Sequence, residues 1–146
     1  MEYILLLTAC INPDGMPFTC LADVGVRKKQ YIEALNFYLK NTTRKIVFVE
    51  NSGTDISSSF KDFQHRIEFL CFDGNLCFDK RKGKGYGEAL ILEYAMAKSE
   101  FITDDVLIFK LTGRLQLINI NRLIHYMDKL SPYPVFTTDY YSIFYR

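Results

Sequence analysis

The run from Tyr3 to Ile11, YILLLTACI, is apolar at nearly every position and breaks at once into NPDGMP. A strand with one wet face alternates apolar and polar residues. A continuous run belongs to a strand covered on both faces. It stops far short of the roughly 20 residues of a membrane span. It does not have the form of an export signal: no basic residues lead it, Glu2 stands at its start, and no small-residue cleavage site follows. A first strand covered on both sides calls for helices on two faces of a sheet.

The rest of the chain supplies them by alternation. Residues 26–40, VRKKQYIEALNFYLK, place Tyr31, Ala34, Leu35, Tyr38 and Leu39 at helical spacing, ending at Asn41. KIVFVENSG (45–53) is a β-branched, aromatic strand running into a polar loop. DISSSFKDFQ (55–64) has the form of a short helix capped by Asp55 or a nearby Ser. RIEFLCF (66–72) is a third strand ending in an Asp-Gly-Asn turn, and a long helix follows over about 86–99. DDVLIFKLTGR (104–114) is a fourth strand, INRLIHYMDKL (120–130) a helix stopped by SPYP, and VFTTDYYSIFYR a strand-like aromatic tail. The order β-α-β-α-β-α-β-α-β predicts one α/β domain over 1–146, a single mostly parallel sheet flanked by helices. An aromatic end without a polar tail is expected to meet a partner surface, a second copy, or the remainder of a longer protein.

With 146 residues, 49% of them hydrophobic, the chain has material for one core. A formal charge of +1 gives no global field to gather nucleic acid. Cys10, Cys20, Cys71 and Cys77 form no CxxC pair and only two His are present, which argues against a zinc site and for reduced thiols. His65 and His125 have no ligand set beside them, and no Ser-His-Asp or Cys-His spacing appears.

In a parallel sheet the polar strand ends share one edge, where ligands bind. Here these are TACINPDG (8–15), ENSG (50–53), FDGN (72–75) and KLTGR (110–114). The stretch KRKGKGYGE (80–88) meets the same edge. Its Lys82, Lys84, Gly83, Gly85 and Gly87 are either a phosphate cradle on a helix N-terminus or a solvated basic turn. It is not a P-loop, and its GxGxG follows the third strand, where a dinucleotide fingerprint does not belong. Glu88 is expected in the first helical turn, favoured there by the dipole. Lys110, in an apolar strand, either reaches an anion or carboxylate or faces water at a sheet edge. Arg114 has the fork for a phosphate. Glu50, Asn51 and Ser52 are either base- or ribose-reading groups or ordinary loop residues.

Four segments, LLLTACINPDGMPFT, IVFVENSG, KGKGYGEALILEYAMAKS and FKLTGR, together resemble bacterial glycosyltransferases of the GT-A type from capsule and surface-polysaccharide gene clusters. The resemblance implies a nucleotide-diphospho-sugar transferase-like fold, a nucleotide-sugar donor and a glycan acceptor, no nucleic acid, and a cytoplasmic place, peripheral to the inner membrane face in one form. It implies that Thr8, Asn12 and Pro13, with Glu50, Asn51 and Ser52, hold the nucleoside. Lys84, Tyr86, Gly87 and Glu88 would lie near the diphosphate or donor sugar. Lys110, Thr112, Gly113 and Arg114 stand where many relatives keep an Asp-x-Asp. No Asp-x-Asp occurs in this chain, which puts a divalent metal in doubt and leaves phosphate neutralisation to Lys and Arg. Glu88 and Asp139 are the candidate catalytic carboxylates. Such enzymes are typically longer, so a missing acceptor-binding half is part of the same expectation. A non-catalytic α/β binding or interaction domain is the alternative.

Overall fold

A computed structural model describes residues 2–129 of the chain. Four strands, β1 (Glu2–Ala9), β2 (Lys45–Glu50), β3 (Ile67–Cys71) and β4 (Val106–Thr112), form one parallel sheet in the order β3-β2-β1-β4. Three helices accompany them: α1 (Val24–Asn41), α2 (Lys84–Lys98) and α3 (Ile120–Asp128). The α/β alternation and the parallel sheet are as the sequence predicts. The fifth, strand-like segment lies outside the described residues, as does Asp139.

β1 is central, pairing β2 on one side and β4 on the other, which is why its apolar run is unbroken. Its two faces feed two cores. Tyr3, Leu5 and Leu7 pack with Tyr31, Leu35 and Tyr38 of α1 and with Ile120 and Ile124 of α3. Ile4 and Leu6 pack with Val47, Val49 and the α2 residues Ile91 and Ala95. Pleat alternation therefore assigns every β1 side chain to one helix layer or the other. Asp23 caps α1, its Oδ1 accepting from Val26 N at 2.8 Å.

Two local expectations shift, and the polar loop after β2 is as expected. Residues 57–63 form 3-10 turns kinked at Phe60, whose φ of −131° interrupts the helix. Asp55 still accepts from Ser57 N at 2.8 Å, the Asx role its position suggests. α2 begins at Lys84, two residues earlier than 86, so Glu88 falls in its second turn, where the helix dipole acts weakly. Residues 51–53 leave the sheet as a loop: Asn51 N donates to Ala9 O and Gly53 N to Phe72 O, tying three strand ends together.

Candidate functional site

The chain leaves β1 toward α1 on one face and enters β4 from α2 on the other. Their carboxyl ends therefore part, and a crevice opens at this switch in winding. A cleft of about 420 Å³ occupies it, lined by the end of β1 (Thr8–Cys10), the exit of β4 (Thr112, Arg114), the first turns of α2 (Lys84, Gly87, Glu88) and the β1–α1 loop. Gly113 keeps the β4 exit close to β1: its N–H donates to Thr8 O at 2.9 Å. A Cβ there would stand 2.7 Å from that carbonyl oxygen and 3.2 Å from the Tyr31 ring.

Glu88 is the carboxylate lining the cleft. Its Oε1 accepts the Thr8 hydroxyl at 2.8 Å and the Lys110 ammonium. Thr8 and Lys110 sit on cross-strand neighbours, on the face that carries α2 (Leu6 pairs Lys110, Thr8 pairs Thr112). The cation in the apolar β4 strand is thus met by a carboxylate. It stays about two-fifths exposed, at the edge of the described sheet.

The other charged residues of the lining are basic. Lys84 donates to Phe18 O at 2.6 Å and is otherwise exposed. Arg114 is half-buried, with a long 3.4 Å contact to Gln30 Oε1. Arg27, absent from the sequence-based set, is 7% exposed. Its guanidinium donates to the carbonyl oxygens of Cys10, Ile11 and Leu21, so one side chain fastens both ends of the β1–α1 loop. No carboxylate pairs with it among the described residues. Tyr31, four residues on, accepts Cys10 N on its hydroxyl at 3.0 Å. This buried guanidinium bonds only neutral oxygens, the backbone carbonyls and the Tyr31 hydroxyl, so no carboxylate offsets its charge beside the cleft.

The ENSG segment divides in role. Glu50 is 1% exposed and turned into its own loop. Oε1 accepts Ile11 N at 2.8 Å, and Oε2 accepts Ser52 N at 3.0 Å and Thr54 N at 2.8 Å. Ser52 donates to Glu50 and accepts Asn12 N at 2.9 Å. Glu50, Ser52 and Asn12 build the loop framework and do not line the cleft, contrary to the expectation that they hold a ligand. Asn51 does line it. The residue is 3% exposed, and its Oδ1 has no hydrogen-bond partner. Asn75, likewise buried, donates from Nδ2 to Asn12 O and Pro13 O and also lines the cleft.

Of the predicted residues, Thr8, Pro13, Asn51, Lys84, Gly87, Glu88, Thr112 and Arg114 meet at the cleft. Lys110 acts through Glu88, and Gly113 shapes the β4 exit. Tyr86 turns outward against the Phe78 ring, 5.3 Å away, with Lys82 over its face. His65 and His125 are exposed. Arg27 was legible in principle: it falls on the same helical stripe as Tyr31, Ala34 and Tyr38.

All four cysteines are free thiols. Burial, then the nearby Glu50 charge, pushes Cys10 up to about 11 and Cys71 up to about 12. Both are therefore protonated and unreactive at neutral pH. No cluster of three or more His, Cys, Asp or Glu suited to a metal occurs among the described residues, and none of their helices is long and apolar enough to cross a membrane. Comparisons with protein families, curated proteins and solved structures gave no match.

Proposed function

We propose that this chain binds the diphosphate of a nucleotide-sugar in the switch-point cleft and transfers the sugar to a glycan acceptor, as a GT-A-type glycosyltransferase. The supporting observation is the charge of the lining. Arg27, Lys84 and Arg114 face one carboxylate, Glu88, and that carboxylate is already matched by Lys110. Such a surplus favours a ligand with two or more negative charges that reaches the open mouth where Lys84 and Arg114 stand. The specific reaction rests on the resemblance of the four sequence segments.

In this reading the bond from the anomeric carbon to the diphosphate oxygen breaks. The acceptor hydroxyl oxygen bonds to that carbon and gives up its proton. Lys84 and Arg114 stabilise the charge that gathers on the leaving diphosphate. Glu88, fixed by Thr8 and Lys110, takes the acceptor proton or orients a sugar hydroxyl. A divalent ion fits the cleft poorly: it needs several oxygen ligands, and the one lining carboxylate is engaged by an ammonium. Neutralisation falls to the basic side chains.

The test is a thermal-shift and calorimetric screen of UDP, GDP, CMP and dTDP species, with and without magnesium or manganese. One nucleotide class should raise the melting temperature without added metal. Lys84→Glu and Arg114→Glu should each weaken it by about 10- to 100-fold, the worth of a charge-assisted hydrogen bond. Absence of any shift at millimolar nucleotide, or unchanged affinity in both variants, refutes the proposal and favours a non-catalytic binding domain.

A further inference from the structure

The β1–α1 loop is fastened at both ends and strained between them. Asn75 holds the carbonyls of Asn12 and Pro13, and Arg27 those of Cys10, Ile11 and Leu21. Between these anchors Asp14 and Phe18 take φ of 42° and 56°, left-handed values that any side chain disfavours. Phe18 is also 95% exposed, although it lines the cleft together with the half-buried Met16 and Leu21. An apolar ring left in water beside apolar neighbours gains free energy by covering them.

What holds the ring out is Lys84. Its ammonium donates to Phe18 O at 2.6 Å, and it pairs with no carboxylate among the described residues. Lys80 fixes the other end of the strained segment, donating to Asp14 Oδ2 at 3.0 Å. A peptide carbonyl is a neutral acceptor. A diphosphate oxygen carries charge and bonds an ammonium more strongly. Lys84 lines the cleft as well, so one cation stands between its own loop and any anion that enters.

We propose that Lys84 is an anion-released latch. A diphosphate in the cleft takes the ammonium from Phe18 O, the segment from Asp14 to Phe18 relaxes, and the Phe18 ring folds over the cleft mouth onto Met16 and Leu21. The latch depends on the reading of the cleft as a diphosphate site, and it adds that the anion itself closes that site. Closure by an apolar ring keeps water from the diphosphate and strengthens every charge contact beneath it.

The chain has no Trp, so Phe18→Trp places a single indole on the latch. Phe18 and Lys84 are both exposed, so changes there leave the core intact. The probe is inorganic pyrophosphate, with binding read by calorimetry and the indole by its emission and by acrylamide quenching. Binding should shift the emission to the blue and reduce the quenching. With Lys84→Met added, the indole should be blue-shifted and protected before any pyrophosphate is present, since nothing then holds the loop out. Pyrophosphate that binds without a change at the indole overturns the latch and leaves the cleft reading standing. A Lys84→Met spectrum equal to that of its parent overturns the latch too, as does an equal change with sodium chloride at matched ionic strength. No pyrophosphate binding at millimolar concentration removes the latch and the cleft reading together.

Discussion

Glu50 at the end of β2 gives the sharpest prediction, because the family resemblance and the structure assign it opposite duties. As a ligand-holding group, its replacement would weaken binding and leave folding alone. As the acceptor for Ile11 N, Ser52 N and Thr54 N, its replacement should unfold the loop system first. Glu50→Gln keeps the shape but has one oxygen. Whichever way the amide turns, its NH2 faces donors that Glu50 now satisfies, Ile11 N on one side or Ser52 N and Thr54 N on the other. A buried N–H left without an acceptor costs about 1–3 kcal/mol, so Glu50→Gln should lose about 3 kcal/mol. Glu50→Ala orphans all three and opens a void, at about 4–6 kcal/mol. Against a typical 5–15 kcal/mol the Ala variant stands near unfolding. The assay is urea denaturation followed by circular dichroism. At a slope near 2 kcal/mol per molar, Glu50→Gln should lower the midpoint by about 1.5 M. A Glu50→Gln midpoint within about 0.2 M of wild type, with nucleotide affinity lost, would refute the framework role and restore the ligand-holding one.

Gly113→Ala should lower the melting temperature by about 3–10 °C, since its methyl group would overlap the Thr8 carbonyl; an unchanged value by differential scanning calorimetry would show that β4 can move away from β1. The thiols give a pH prediction. Cys10 at about 11 and Cys71 at about 12 lie above the ordinary 9.0, so the folded chain holds protons that the unfolded chain releases. That contribution is complete below about pH 9 and is lost as pH rises toward 11. Urea midpoints should thus fall between about pH 9 and 11, and Cys10→Ala with Cys71→Ala should flatten the decline. For the same reason iodoacetamide at pH 8, followed by mass spectrometry, should label Cys20 and Cys77, which are exposed, well before Cys10 and Cys71.

The sheet was legible because its signal is short-range. The unbroken run at Tyr3–Ile11 and the β-branched KIVFV state their own burial, and β1, β2, β3 and β4 fall where those runs lie. The Tyr31–Leu39 stripe likewise gives α1 its buried face. The site was legible as an edge and not as a set of contacts. A carboxylate at a strand end reads the same whether it faces a ligand or its own loop, which is why Glu50 and Ser52 were placed among ligand groups. Arg27 sits in VRKKQ, where three cations in a row suggest a wet face; the stripe through Tyr31, Ala34 and Tyr38 marks it as the inward one, and the backbone carbonyls of Cys10, Ile11 and Leu21 supply the reason. Lys110 and Glu88 are 22 positions apart in sequence, and their meeting depends on α2 crossing the sheet above β1 and β4.

The strand order also bears on how the chain acquires its shape. β1 emerges first from the ribosome, yet Glu2 finds its partner at Val106 and Ile4 at Ile108. All three pairings in the sheet are parallel, so none is closed by a local hairpin, and contact order is high for a domain of this size. At about 5–20 residues per second, the open side of the central strand waits roughly 5–20 s for β4 to be synthesised. During that interval Ile4, Leu6 and a row of unpaired backbone groups form a ready template for another chain. Folding yield should therefore depend on temperature and on holdase chaperones more steeply than the stability of the finished domain would suggest.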